Sequence, residues 1–224
     1  MSVTLLLGGS LREHVGREDV VAHPLSLVVK PVDVEHANTF GADGVRTVQI
    51  VLEADEARSL IVANPALANW QWTHAGAATS AFLALASAIR RNDAVAIEQR
   101  TFEALAIAGA LGGSRRDAPE WITRIRDHIL DEPHLTTLSE LARDAGVHPV
   151  YLARVFRECY GLSVTDFRKR CRVQRVAQQL GETTERSLSV IAHDAGYADH
   201  SHMCREFRSV AGLAPSTFRS IVIA

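Results

Sequence analysis

Cysteine is scarce in this sequence. Cys159, Cys171 and Cys204 are the only three, an odd number with no CxxC pair among them. That argues against a disulfide frame and a cysteine-built zinc site, and for the reduced thiols of a cytosolic protein. Long apolar runs are missing as well: no stretch reaches the roughly 20 residues that a bilayer-spanning helix needs. The first residues lack a basic segment followed by an apolar one, so no secretion signal is expected and the expected location is the cytoplasm. Charge of one sign is also lacking. With 24 Lys+Arg against 26 Asp+Glu the net charge is −2, too little for a global field that would draw the chain to nucleic acid.

The near-neutral total conceals an asymmetry. Residues 1–113 hold 8 Lys+Arg against 12 Asp+Glu, a balance of −4, and residues 114–224 hold 16 against 14, a balance of +2. Any phosphate contacts would therefore come from a local patch, mainly Arg168 to Arg175. An apolar fraction of 47% and a charged fraction of 22% describe a globular chain. Its 224 residues suffice for two domains. The boundary falls at Gly112-Gly-Ser-Arg-Arg-Asp-Ala-Pro119, where glycine, serine, charge and proline cluster between the acidic and the weakly basic halves.

One stretch occurs twice. Leu141-Ala-Arg-Asp-Ala-Gly146 returns as Ile191-Ala-His-Asp-Ala-Gly196. Phe156-Arg157, Gly161-Leu162 and Phe167-Arg168 return as Phe207-Arg208, Gly212-Leu213 and Phe218-Arg219. Two copies are too few to stack a solenoid, so they read as two small helical units. In the first, Thr137 or Ser139 can cap a helix that buries Leu138, Leu141, Ala142 and Ala145. Gly146 suits a left-handed helix end, and Pro149 suits the first turn of the next helix. That second helix turns Leu152, Val155 and Phe156 inward. In the second copy Ser189 is the expected cap, Gly196 the stop, and a helix from about Asp199 buries Met203, Phe207 and Val210. This is the pattern of a helix-turn-helix, whose second helix can enter the major groove of DNA. Arg154 and Arg205 each precede the anchoring phenylalanine by two residues, and an arginine there can grip guanine with two hydrogen bonds. Ordinary helical hairpins with solvated arginines are the competing explanation, but packing alone does not require the exposed arginine to recur.

Residues 1–52 read as strands: Val3-Thr-Leu-Leu-Leu, Ser26-Leu-Val-Val and Val45-Arg-Thr-Val-Gln-Ile-Val-Leu are β-branched or apolar runs bounded by Gly, Pro and Asp. Helices are predicted over Ala54–Val62, Ala77–Ile89 and Ala94–Leu111, the last with Ile97, Phe102, Leu105 and Ala108 on one stripe. The alanine-rich faces serve equally for pairing with a second copy or for packing on the chain's own sheet.

The segment from about Ile122 to Arg219 resembles the double helix-turn-helix domain of the AraC/XylS family of transcription regulators. The residues that carry the resemblance are Leu138-Ser-Glu-Leu-Ala, Tyr151-Leu-Ala-Arg-Val-Phe, Gly161-Leu-Ser-Val-Thr-Asp-Phe, Ile191-Ala-His-Asp-Ala-Gly-Tyr and Phe207-Arg-Ser-Val-Ala-Gly-Leu-Ala-Pro-Ser-Thr-Phe-Arg. The resemblance implies a linker helix over about Val164–Leu180 and two recognition helices in successive major grooves of double-stranded DNA. Carried over by position, the base contacts are Val150, Ala153 and Arg154 in the first unit and His200, Ser201, His202 and Arg205 in the second. Arg157, Arg168, Lys169, Arg172 and Arg208 are the expected phosphate contacts. Pro31-Val-Asp-Val-Glu-His36-Ala-Asn38 resembles a cupin barrel motif, with Asp33 where glycine is usual.

The expected fold is therefore α+β and mainly α. Residues 1–113 form a cupin-like sensor or dimerisation domain, with strands over about 1–52 and helices over about 54–111. Residues 119–224 form an all-α DNA-binding domain. The resemblance implies a small-molecule effector at a site the sequence does not specify, RNA polymerase as a partner and a homodimer, with no cofactor and no membrane partner. His36 is the one residue placed to ligate a metal, and His14 and His23 have no supporting pattern. A metal site would need about three such ligands around an open position, so none is expected. A cupin-type enzyme would need that site, and a DNA-repair methyltransferase would need an acceptor cysteine before Cys159, so no catalysis is expected.

Overall fold

The structure is a computed structural model, and it describes residues 1–16, 18–109, 118–133, 136–183 and 185–223. Most of the expected linker, from Gly112 to Asp117, lies outside the described residues, as do Ala110 and Leu111. By packing, the chain forms two compact units, one made of Met1–Gly112 with Gln174–Ala224 and the other of Gly113–Val173.

The first unit opens with an antiparallel sheet of five strands: β1 (Ser2–Val15), β2 (Glu18–Ala22), β3 (Ser26–Lys30), β4 (Ala37–Val51) and β5 (Gln71–His74). β1 is the central strand. β4 pairs along one edge, while β3 (Val3 opposite Val29) and β2 (Glu13 opposite Val20) share the other. Register shifts between Leu6 and Gly8 and between Gly9 and Leu11 mark bulges, which bend a strand and curl its sheet. Leu6, Leu11, Ala22, Val28 and Trp72 form a buried cluster, with Trp70 packed against it. The turn between β3 and β4 places Asp33 in the left-handed region, at φ 62°, the conformation its usual glycine takes freely. β5 falls between the first two expected helices, in the segment Asn69-Trp-Gln-Trp-Thr-His74, where no strand was expected.

One buried charge pair sits on this sheet. Glu13 is fully buried and its Oε1 accepts from the Lys30 ammonium, which lies 5.2 Å from the centre of the Trp70 ring. The other Glu13 oxygen, the Thr4 hydroxyl and the indole N–H groups of Trp70 and Trp72 are buried without a hydrogen-bond partner.

Helices α1 (Ala54–Ala63), α2 (Ala77–Arg90) and α3 (Ala94–Gly109) follow. α2 is the buried one, with Ala78, Ala81, Phe82, Leu83 and Leu85 inside. The stripe expected on α3 is split. Leu105 and Ala108 are buried, while Phe102 is 68% exposed alongside exposed Val95.

The second unit holds α4 (Glu120–Asp131), α5 (Leu138–Asp144), α6 (Pro149–Tyr160) and the first half of α7 (Val164–Glu182). Their core joins Ile122, Ile125 and Ile129 to Leu141, Leu152, Val155 and Phe156. Phe156 packs edge-on to Phe167, with ring centres 5.3 Å apart. The rest of α7, with α8 (Leu188–Asp194), α9 (His200–Ala211) and α10 (Pro215–Val222), belongs to the first unit. Met203, Phe207, Phe218 and Val222 are its buried anchors there. Within that unit α2 packs against both α9 and α10. Among the described residues no helix is long and apolar enough to cross a membrane.

Candidate nucleic-acid interface

Local chemistry sets each helix-turn-helix. Thr137 caps α5 in a reciprocal box: its hydroxyl accepts from the Glu140 N–H at 3.2 Å, and the Glu140 carboxylate accepts from the Thr137 N–H at 2.6 Å. Glu140 is held below the usual carboxylate range by hydrogen bonding of its carboxylate to the Thr137 backbone N–H and then to the Thr137 side chain, with smaller help from Arg143 and Arg168. Gly146 ends the helix region at φ 66°, and His148 caps α6 with Pro149 in its first turn. In the second copy the cap of α8 is Ser187, whose hydroxyl accepts from the Val190 N–H at 3.2 Å, rather than Ser189. Asp199 caps α9 by accepting from the His202 N–H at 2.7 Å, and that bond, ahead of the nearby Arg205, holds its carboxyl below the ordinary aspartate range. Left-handed glycines, Gly161 and Gly212, stop the two second helices.

These caps fix which side chains face outward. On α6, Val150 is 70% exposed, Ala153 is half-buried, and Arg154 and Arg157 are exposed. The Arg154 guanidinium lies over the Tyr151 ring, 5.3 Å from its centre, and Tyr151 stacks on Trp121 of α4. On α9, His200, Ser201, Arg205 and Arg208 are exposed. His202 is half-buried, with its Nε2 3.4 Å from the Glu206 carboxylate and its ring edge-on to Tyr197. His200 lies 3.2 Å from the Cys204 sulfur, whose thiol pKa is pushed up by burial, with Arg208 offsetting part of this. Cys159 and Cys171 are buried and neither forms a disulfide.

The phosphate candidates on α7 sit deeper than solvated side chains would. Arg168, Lys169 and Arg172 are half-buried. The Arg168 pKa is lowered first by burial and then by the like charge of Arg172, and Glu140 offsets part of this. Its Nε and one terminal nitrogen are buried without a hydrogen-bond partner. A guanidinium kept in that setting is an acceptor-seeking group, since unpaired buried donors cost free energy.

The metal candidate stands apart. His36 is exposed, 3.1 Å from the Val34 carbonyl, with its ring 4.9 Å from Trp70. His14 pairs with Asp19 at 3.0 Å, and burial lowers the His23 pKa. Among the described residues no group of three His, Cys, Asp or Glu is placed to hold a metal, so the residues present do not fit the metal of a cupin enzyme.

Sequence reasoning missed Trp121 and Tyr151 as companions of Arg154. The available signal was an aromatic three residues before the arginine, one turn back on the same helix face.

Fold and site together are those of a tandem helix-turn-helix protein. A family model described as a helix-turn-helix domain matches residues 141–221. The chain is 31% identical over 104 residues to the regulatory protein SoxS of Escherichia coli, taking in 46% of this chain and 91% of that protein. It is 30% identical over 105 residues to the arabinose operon regulatory protein of Salmonella typhimurium, but this takes in only 35% of that protein and 47% of this chain. A solved structure of ToxT from Vibrio cholerae aligns over 100% of this chain and 90% of its own, at 12% identity and a TM-score of 0.45. The chain belongs to the AraC/XylS family of transcription regulators.

Proposed function

We propose that the chain is a sequence-specific DNA-binding regulator that acts by occupying DNA and not by catalysis, in the cytoplasm. One observation carries this reading. In both repeats an exposed arginine stands two residues before a fully buried phenylalanine, Arg154 before Phe156 and Arg205 before Phe207. In this reading α6 and α9 enter successive major grooves of double-stranded DNA. Val150, Ala153 and Arg154 read bases in one groove, with Val150 offering apolar contact to a thymine methyl. His200, Ser201, His202 and Arg205 read the other. Arg157, Arg168, Lys169, Arg172 and Arg208 hold phosphates, and the unpartnered donors of Arg168 support that role.

Residues 119–224 are then the DNA-binding domain and residues 1–113 the regulatory one. A small-molecule effector in the regulatory domain is supported by the buried, unpartnered polar atoms of Glu13, Thr4, Trp70 and Trp72. The exposed Val95 and Phe102 of α3 support pairing with a second copy. RNA polymerase is the further partner this reading calls for. Arg205→Ala tests the reading by gel shift. It should weaken binding by about 1–3 kcal/mol on the preferred sequence and relax the preference at one base pair. An equal loss on every sequence contradicts it.

A further inference from the structure

In the second unit two aromatic rings and a proposed base-reading arginine lie in contact. Trp121 of α4 is half-buried against the core of that unit. Its ring lies nearly parallel to that of Tyr151, 18° between planes and 6.0 Å between centres. Tyr151, 45% exposed, also carries the Arg154 guanidinium over its ring, 5.3 Å from the centre. Tyr151 and Arg154 are one helical turn apart on α6, so their side chains share one face. An arginine alone on an exposed helix samples many rotamers and loses that freedom when it docks on a base edge. Seated on an aromatic ring, its planar fork has a defined direction before DNA arrives, because the ring's negative face attracts the cation and its flat surface favours stacking.

We infer that Tyr151, buttressed by Trp121, is a specificity-positioning residue that aims Arg154 at its base pair. This rests on the DNA-binding reading and goes beyond it. The repeat itself gives the contrast. Three residues before Arg205 stands His202, which is engaged by Glu206 at 3.4 Å and is edge-on to Tyr197. The first reading helix therefore carries a pre-aimed arginine on an aromatic platform, while the matching position in the second holds His202 beside Glu206 and, among the described residues, no ring beneath Arg205 at that position. The first helix-turn-helix repeat should then discriminate more sharply, per arginine, than its number of polar base readers suggests.

The test measures affinity for the preferred DNA and for a copy changed only at the base pair that Arg154→Ala makes indifferent. Tyr151→Leu, which keeps a good helix former at the position, should cut the preference between the two DNAs by about 3- to 10-fold, with affinity for the changed copy unaltered. Tyr151→Phe keeps the platform and should hold the preference within about twofold. In an Arg154→Ala background Tyr151→Leu should have no further effect. Equal weakening on both DNAs, loss of preference in Tyr151→Phe, or an undiminished effect in the Arg154→Ala background would each overturn the inference, because Tyr151 would then contact DNA itself. Circular dichroism of each variant ensures that intact folds are compared, and Tyr151→Phe carries the test should the leucine variant unfold. If the unaltered protein shows no sequence preference at all, it is the DNA-binding reading that fails, and this inference goes with it.

Discussion

Ser80 on α2 and Gly212 at the end of α9 meet so closely that a Cβ added to Gly212 would lie 2.9 Å from both the Cβ and the Oγ of Ser80. The Ser80 hydroxyl also donates to the Val210 carbonyl at 3.4 Å. α9 is thus fastened at its C-terminal end to a helix of the N-terminal region. Two further bonds join the same parts of this unit. Gln174 of α7 donates to the buried Ser26 hydroxyl at 3.2 Å, and Arg46 of β4 donates to the Val222 carbonyl.

Gly212→Ala should therefore cost more than Gly161→Ala. Both glycines are left-handed, at φ 77° and 70°, but nothing lies within 4 Å of a Cβ at Gly161. The Gly161 change carries only the conformational penalty of about 1–2 kcal/mol. The Gly212 change adds crowding of a further roughly 1–3 kcal/mol. Urea unfolding of the two variants measures the difference, and equal losses would mean that the Ser80 contact yields freely.

Lys30→Met should destabilise strongly, by about 3–5 kcal/mol, because it leaves the fully buried Glu13 without its counter-charge. Adding Glu13→Leu should recover most of that loss, since replacing both partners removes the stranded charge. Denaturant midpoints of the single and double variants check both outcomes.

The caps give a pH dependence with a definite sign. Asp199 and Glu140 are held below their ordinary ranges by backbone hydrogen bonds. A carboxylate depressed in the folded state stabilises it at neutral pH, and that contribution is lost as pH falls through the lowered value. Asp199→Ala should thus lower the melting temperature at neutral pH, and the gap to the unaltered protein should shrink as the pH falls below the ordinary aspartate range. A gap that widens on acidification would contradict the cap.

The two helix-turn-helix repeats were legible because their rules are local. Caps, left-handed glycines and buried phenylalanines recur at fixed spacing, and only the choice between Ser187 and Ser189 went astray, two serines one residue apart from the same helix start. The sheet was less legible. β1 runs on through Gly8-Gly9 and polar Arg12-Glu13-His14, and β4 begins at Ala37 through Asn38, Gly41, Asp43 and Gly44, all turn-forming types that pairing with β1 overrides. β5 is four residues long and gains its strand form from β3, with Val28 opposite Trp72. Lys30 is 17 residues from Glu13, and only the tertiary fold reveals it as that carboxylate's partner. On α3 the periodic stripe held both faces of the helix in one pattern, so periodicity could not tell buried Leu105 from exposed Phe102.

The most direct measurement is selection of bound DNA from a random pool by the whole chain. Two tandem reading helices predict one long asymmetric site, with two unlike motifs about 10 base pairs apart, one of them losing its key base pair with Arg154→Ala and the other with Arg205→Ala. Recovery of no enriched sequence, or of a single short motif indifferent to both arginines, would contradict the account.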